Sequence, residues 1–188
     1  MDRNGTEASG GLIREWRPTR RTWFAWWGSG ALMVVLGSLG YELVAGHGQM
    51  PDAISINIVL TLVLALALAA VHEGIHGIAM IAFGAKPSFG ILRDGRVPAG
   101  FYATSPGHRF RRWPYLVVAL APTVILAPLG IPLCWSALGS SLWMPFGAHL
   151  GGCVGDLTIV LIVLQTRGDI LVEDLRDGMR IWKTASVG

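Results

Sequence analysis

Two histidines and a glutamate interrupt an apolar run, LALAAVHEGIHGIAM, at residues 66–80. His72, Glu73 and His76 fit the pattern H-E-x-x-H. On a helix, residues four apart share a face, so the two imidazoles can grip one Zn²⁺ while the intervening carboxylate acts as general base. We therefore predict His72 and His76 as metal ligands and Glu73 as the catalytic base. The alternative is that all three only hydrogen-bond to neighbouring helices.

Asp156 is the best candidate for a third ligand. It is the only acidic residue between Asp94 and Asp169, and it interrupts the apolar run GGCVGDLTIVLIVL. Counted from the same ends of their predicted helices, His76 and Asp156 both lie about 12 Å deep at 1.5 Å per residue. The alternative is a buried carboxylate satisfied by backbone or by a histidine. The glycines around it, Gly147, Gly151, Gly152 and Gly155, would let helices approach closely.

His149 and Cys153 are secondary candidates on the same helix. His149 precedes Asp156 by seven residues, which places it on the same face but about 10 Å further out. An interfacial or hydrogen-bonding role is favoured for it; the alternatives are a group that supports a metal ligand, a proton relay or a ligand itself. Cys153 is interpreted as a small core residue, with a position facing the metal as the alternative.

The composition indicates an integral membrane protein. The chain is 52% hydrophobic and only 14% charged, with a net charge of +3. About 20 apolar residues suffice to span a bilayer, and four segments qualify, at about 23–45, 54–83, 114–138 and 145–164. Pro122, Pro128 and Pro132 predict a kink or break in the third segment. The fold predicted is a single, all-α membrane domain over residues 1–188, with four transmembrane helices.

The cations predict the orientation of the four helices. All 15 Lys and Arg residues fall in the arm before the first helix, the link after the second, or the tail after the fourth. Because cytoplasmic loops carry the excess of Lys and Arg, both termini and the link are expected in the cytoplasm, with the chain in the inner (plasma) membrane. We expect the arm, residues 1–20, to be partly disordered, and residues 167–188 to form a cytoplasmic tail.

The link, residues 84–113, is too polar to span. Asp94-Gly95 favours a tight turn, and its flanks hold strand formers. A small β-hairpin or re-entrant loop is predicted, with an irregular basic loop as the alternative. Phe89, Ile91 and Phe101 lie in the flanks, and we predict that they contribute to substrate binding by strand addition.

The chain resembles the small bacterial membrane zincin peptidases and, more broadly, the intramembrane metalloproteases of the site-2 protease type. The resemblance rests on HEGIHGIAM, WPYLVVALAPTVIL, GGCVGDLTIV and ILVEDLRDGMRIW. It implies one catalytic Zn²⁺ held by His72, His76 and Asp156, with Glu73 as base. Site-2 proteases usually carry an Asp-Gly pair, whereas Leu157 follows Asp156 here.

The resemblance predicts a zinc-dependent protease that cuts membrane-associated substrates near the cytoplasmic side. A membrane protein or peptide is the expected partner, within the lipid bilayer and without nucleic acid. A non-proteolytic metal-binding membrane protein (a regulator, a chaperone-like protein or a metal carrier) is the alternative. Two histidines and a carboxylate suit zinc but also non-haem iron.

Overall fold

The computed structural model describes residues 9–45, 58–94, 97–134 and 139–184. The four helices are α1 (Arg20–Ala45), α2 (Ile58–Ala82), α3 (Arg112–Cys134) and α4 (Gly139–Gln165). The six strands are β1 (Ser9–Trp16), β2 (Ser88–Asp94), β3 (Val97–Thr104), β4 (Arg109–Arg111), β5 (Ile170–Leu175) and β6 (Gly178–Thr184). Each helix falls on one of the four segments predicted from the sequence, with α4 beginning before the predicted start at 145; residues 54–57 and 135–138 of the predicted segments lie outside the described residues.

Three of these helices are long and apolar enough to cross a membrane: Ile58–Ala82, Arg112–Gly130 and Ser141–Gln165. Among the described residues, α1 does not meet that test, so the prediction of four spanning helices is supported for three. α3 runs unbroken from Arg112 to Cys134 although it contains Pro122, Pro128 and Pro132. The break that these prolines predicted is therefore not observed.

The prediction of an all-α fold is wrong, because a four-stranded antiparallel sheet accompanies the helices. Its strand order is β1-β6-β5-β4. β1 comes from the arm, β4 from the link, and β5 and β6 from the tail, so Ser9 pairs with Thr184 and Phe110 with Val172. The arm is thus a strand from Ser9 onwards. The part of the predicted disorder that falls on residues 1–8 lies outside the described residues.

The predicted hairpin in the link is present. β2 and β3 form a separate two-stranded antiparallel sheet in which Ile91 pairs with Phe101 and Phe89 with Ala103. A register shift follows Leu92. The Asp94-Gly95 turn itself falls partly on residues 95 and 96, which lie outside the described residues.

Residue contacts divide the chain into two compact units. The first comprises residues 1–19, 73–121 and 158–188, and holds both sheets. Its core is built from apolar side chains of the sheet and of the adjoining helix ends; among its most buried members are Met80, Tyr115, Val163, Val172, Met179 and Ile181. Arg112 closes the end of α4 by donating hydrogen bonds to the carbonyls of Val163, Thr166 and Gly168, at 2.6–3.1 Å.

The second unit comprises residues 20–72 and 122–157, and in it α1 packs closely on α4. The contact runs along Gly147 and Gly151, which are four residues apart on α4. A Cβ on Gly151 would overlap the backbone of Gly30, and one on Gly147 would lie 2.9 Å from Val34 Cα. The sequence prediction that glycines permit close helix packing therefore holds at these two positions. It fails at Gly152, which has nothing within 4 Å of its Cβ position.

The neighbouring glycines of α4 offer a matched test of this packing. Gly151→Ala is expected to destabilise the protein by about 1–3 kcal/mol, because the added methyl meets backbone that cannot rotate away. Gly152→Ala adds the same methyl to the same helix in open space, so it is expected to be neutral or slightly stabilising. Thermal unfolding of both variants in one detergent measures the difference. Equal unfolding temperatures would contradict the packing described.

Candidate metal centre

Helix α2 carries the three polar residues of the H-E-x-x-H pattern. The helix is continuous from Ile58 to Ala82, so His72 and His76 lie one turn apart on one face. Glu73 lies next to His72 in sequence and points about 100° away around the helix axis. His76 is buried, whereas His72 and Glu73 are partly exposed.

Asp156 of α4 contacts His72. The Nε2 atom of His72 lies 3.3 Å from Oδ2 of Asp156, and both side chains are largely buried, at 13% and 17% exposure. Two such atoms bound to one tetrahedral zinc at about 2.0–2.2 Å would be roughly 3.4 Å apart. His72 Nε2 and Asp156 Oδ2 are therefore separated by about the distance expected for two ligand atoms of one zinc ion. The two atoms need not move closer together to bind it.

The backbone of α3 orients His76. Its Nδ1 atom lies 2.8 Å from the carbonyl oxygen of Val118. Because a carbonyl can only accept, Nδ1 carries the hydrogen and Nε2 keeps its lone pair for a metal. Metal-ligating histidines usually donate their second ring N–H in this way, which fixes the tautomer and the ring plane. This hydrogen bond is an observation that fits a ligand role for His76.

Among the described residues, two groups of side chains could hold a metal ion. One consists of His72, His76 and Asp156, and the other of His72, His149 and Cys153. In each group the potential ligand atoms lie within 4.8 Å of one another. The donors of the first group, two imidazoles and a carboxylate, match the three protein ligands of catalytic zinc sites.

His149 lies nearer to the motif than its sequence position predicted. Its ring meets that of His72 edge to face, with centroids 5.1 Å apart, and stacks on Phe146. The sequence placed His149 about two turns from Asp156, not from the motif. Because His72 lies one turn before His76 on α2, His72 is the motif residue on the side of His149. Cys153 is buried and unoxidised, with Sγ 3.7 Å from His149 Nε2.

Asp174 and Tyr115 form a polar pair that the sequence analysis did not single out. The Tyr115 hydroxyl donates to Asp174 Oδ1 at 2.9 Å. Burial raises the pKa of the Asp174 carboxyl to about 7; hydrogen bonds from Tyr115 and Thr104 oppose this rise, while the charge of Glu73 adds to it. Asp174 is thus electrostatically coupled to the motif. Asp174 lies near the end of β5, after four successive buried residues and itself only partly buried, so no alternating pattern in the sequence singles it out.

The hairpin packs on α2 directly after His76. A Cβ on Gly77 would overlap the ring of Phe89, so glycine is what lets β2 approach the helix there. Phe89, Ile91 and Phe101 remain substantially exposed. The three predicted substrate-binding residues therefore lie on a hairpin that is anchored beside the motif and presents apolar side chains outward.

Three membrane-compatible helices and a cluster of histidine, cysteine and aspartate side chains define a membrane protein with a candidate metal centre. The chain belongs to the family described as "Putative zincin peptidase", whose family model matches residues 57–171, more than half of the sequence. This match confirms the predicted family, whose description implies a metallopeptidase with zinc as the metal. Comparisons with curated proteins and with solved structures found no match.

Proposed function

We propose that the protein is a zinc-dependent intramembrane metalloprotease that hydrolyses peptide bonds of membrane-associated substrates near the cytoplasmic side. The observation that carries this proposal is the 3.3 Å approach of His72 to Asp156, with His76 one helical turn further along α2 and Glu73 between the two histidines. Three donors and a carboxylate base are the parts that H-E-x-x-H chemistry needs.

His72, His76 and Asp156 would hold the zinc ion. Bound there, zinc would polarise the scissile carbonyl and make a water molecule acidic enough to attack near neutral pH. Glu73 would accept a proton from the attacking water and deliver it to the leaving nitrogen, which is the role of a general base that then acts as general acid. The hydrogen bond from His76 to the Val118 carbonyl keeps the imidazole oriented throughout.

Sheet pairing supports a topology with four spans. β1 precedes α1, β4 follows α2, and β5 follows α4, yet all three belong to one hydrogen-bonded sheet. A sheet cannot cross the hydrocarbon core with open edges, so the three strands lie on one side of the membrane. If α2 crosses the membrane, α1 must cross it in the opposite direction, so that β1 and β4 lie on the same side. For the same reason, α3 and α4 must cross in opposite directions. We therefore propose four spanning helices, α1 included.

The same sheet supports the proposed orientation. The segments that carry all 15 cations are the arm, the link and the tail, and these segments provide the strands of the sheet. Positive charge favours the cytoplasmic side. We propose that the sheet and both termini are cytoplasmic in a plasma membrane. The sheet then lies at the end of α2 and α4 that is nearer to the metal ligands.

A substrate must be extended where it is cut, because the carbonyls of a helix are hydrogen-bonded and shielded. We propose that it adds as a strand to the β2–β3 hairpin, whose two strands have open edges in the described part of the chain. Strand addition relies on main-chain hydrogen bonds, and the Phe89 contact at Gly77 holds the hairpin next to His76.

Proline at Ile91 or Phe101 is expected to impair cleavage by about tenfold or more while leaving zinc content unchanged, because proline removes an N–H from the ladder or from its edge. Ile91→Val, which keeps the N–H and the strand preference, is the matched control and should retain activity. Cleavage assays and metal analysis on the same preparations test this. Unchanged cleavage in both proline variants would rule out strand addition.

The experiment that tests the proposed function compares purified wild-type protein with Glu73→Gln, using metal analysis and a screen of peptide and membrane-protein substrates. Stoichiometric zinc in both, with cleavage by the wild type alone, is the expected result. Zinc in both without cleavage by either would favour a non-proteolytic metal-binding protein. The absence of stoichiometric metal from both would overturn either account.

A further inference from the structure

The second group of potential ligands, His72, His149 and Cys153, has no task in the peptidase chemistry proposed above. All three side chains belong to one compact unit, and two of them are on α4, four residues apart and therefore on one face. Cys153 is buried, and its neighbours in the cluster are imidazoles. A thiol among imidazoles in an apolar surrounding is a soft donor set, the kind that selects thiophilic ions.

The separations within the group match coordination. Cys153 Sγ and His149 Nε2 are 3.7 Å apart. Zinc–sulfur and zinc–nitrogen bonds of about 2.3 and 2.0–2.1 Å at a tetrahedral ion would separate these atoms by roughly 3.5 Å. The His72 ring lies edge to face with that of His149, 5.1 Å between centroids, and one potential ligand atom from each of the three side chains lies within 4.8 Å of the others. An ion there requires only small adjustments.

We propose that His72, His149 and Cys153 form a second binding site for a thiophilic divalent ion such as Zn²⁺, Co²⁺ or Cd²⁺. This inference rests on the proposed function, and it states that an ion bound in the second site regulates the peptidase centre. The two sites share His72, so one ion cannot occupy the second while another is fully coordinated in the first. An ion held by Cys153 and His149 is withdrawn from Asp156, and Glu73 then has no activated water to deprotonate.

Cobalt provides a direct readout, because a thiolate bound to Co²⁺ gives a charge-transfer absorption in the near ultraviolet that imidazole and carboxylate ligands do not give. The full chain is purified in detergent, freed of metal and titrated with Co²⁺. The variant Asp156→Ala, which removes the carboxylate of the first site and leaves the second intact, is expected to show the thiolate band with one Co²⁺ per chain.

The cysteines provide the matched control. Cys153→Ser in the Asp156→Ala background is expected to abolish the band and to weaken cobalt binding at least tenfold, since even indirect partners of a metal site contribute 10–100-fold to affinity. Cys134→Ser, at the only other cysteine of the chain, should leave both unchanged. His149→Ala in the Asp156→Ala background should also lose the band. Thermal unfolding of each variant confirms that it is folded.

A cobalt–thiolate band that is missing from Asp156→Ala, or that persists in Cys153→Ser, would overturn the second site. If Asp156→Ala does not fold, Asp156→Asn, which keeps the side-chain volume, replaces it and is held to the same outcomes. Failure of the proposed function would give a different result: the wild type would not cleave peptides, while Asp156→Ala would still show the cobalt–thiolate band. The readout is spectroscopic, so it decides the second site whether or not the chain cleaves peptides.

Discussion

Replacing His76 by alanine is expected to lower the zinc affinity of the purified protein by at least about 100-fold. Loss of a group that merely supports a ligand already costs 10–100-fold, and His76 is proposed as a ligand itself. Its ring is oriented for that task by the hydrogen bond to Val118. Competition for zinc with a chelator of known affinity, on wild type and variant in the same detergent, measures the change.

His108→Ala is the matched control for this prediction. His108 is also a histidine of the first compact unit, but its ring packs on Phe110 with centroids 4.4 Å apart, and it belongs to neither group of potential ligands. Zinc affinity should therefore stay within about threefold of wild type, the ordinary context-dependence of a distant surface change. Equal losses in both variants would show that His76→Ala acts through the fold rather than through the ion.

Replacing Glu73 by glutamine is expected to lower kcat/KM for peptide cleavage by about 10²–10⁴, the usual contribution of a positioned general base. The amide keeps the shape of the carboxylate but cannot accept the proton of the attacking water. KM should change little, because Glu73 is proposed to act in the transition state rather than in substrate binding. Zinc content should remain one ion per chain, since Glu73 is not among the three proposed ligands.

Steady-state kinetics on any substrate found by screening gives kcat and KM, and metal analysis of the same samples gives the zinc content. A variant with wild-type kcat would remove Glu73 from the mechanism. Loss of zinc from the variant would instead indicate that Glu73 is a metal ligand. The roles of His72, Glu73 and His76 on α2 would then have to be reassigned.

Local sequence patterns predicted the helices and pointed to the residues that form the candidate centre. Polar groups in a run as apolar as that of α2 are costly in a membrane, so His72, Glu73 and His76 signalled a site by themselves. The same reasoning pointed to Asp156, and the structure brings that carboxylate to His72. The hairpin of the link was likewise visible, because a turn signal lay between two short runs of strand formers.

The four-stranded sheet was only partly predictable by the same means, because Asp177-Gly178 between two runs of strand formers signals the β5–β6 hairpin, whereas the pairing of β1 and β4 with that hairpin has no local signal. Its strands are three to eight residues long, and β1 pairs with β6 from the other end of the chain. Pairing over such separations is decided by tertiary packing, for which short segments carry no local signal. The coupling of Asp174 to the motif was hidden for the same reason.

The position of His149 shows a second limit. Counting residues gives its depth along α4 and the face that it shares with Asp156, but not the way in which α4 is turned relative to His72. Rotation is set by how α4 packs against its neighbours, and here Gly147 and Gly151 of α4 pack against the backbone of α1. Depth was therefore predictable from the sequence, whereas the grouping of His149 and Cys153 with His72 required the structure.

The most direct test of the central claim is a comparison of new protein N-termini in membranes. Cells lacking the protein are supplied with wild type or with Glu73→Gln at equal abundance, and free N-termini are labelled and identified. The account predicts new termini within or beside membrane-spanning segments, near their cytoplasmic ends, with wild type and not with the variant. Identical sets of termini from both cell lines, with zinc bound to both proteins, would contradict it.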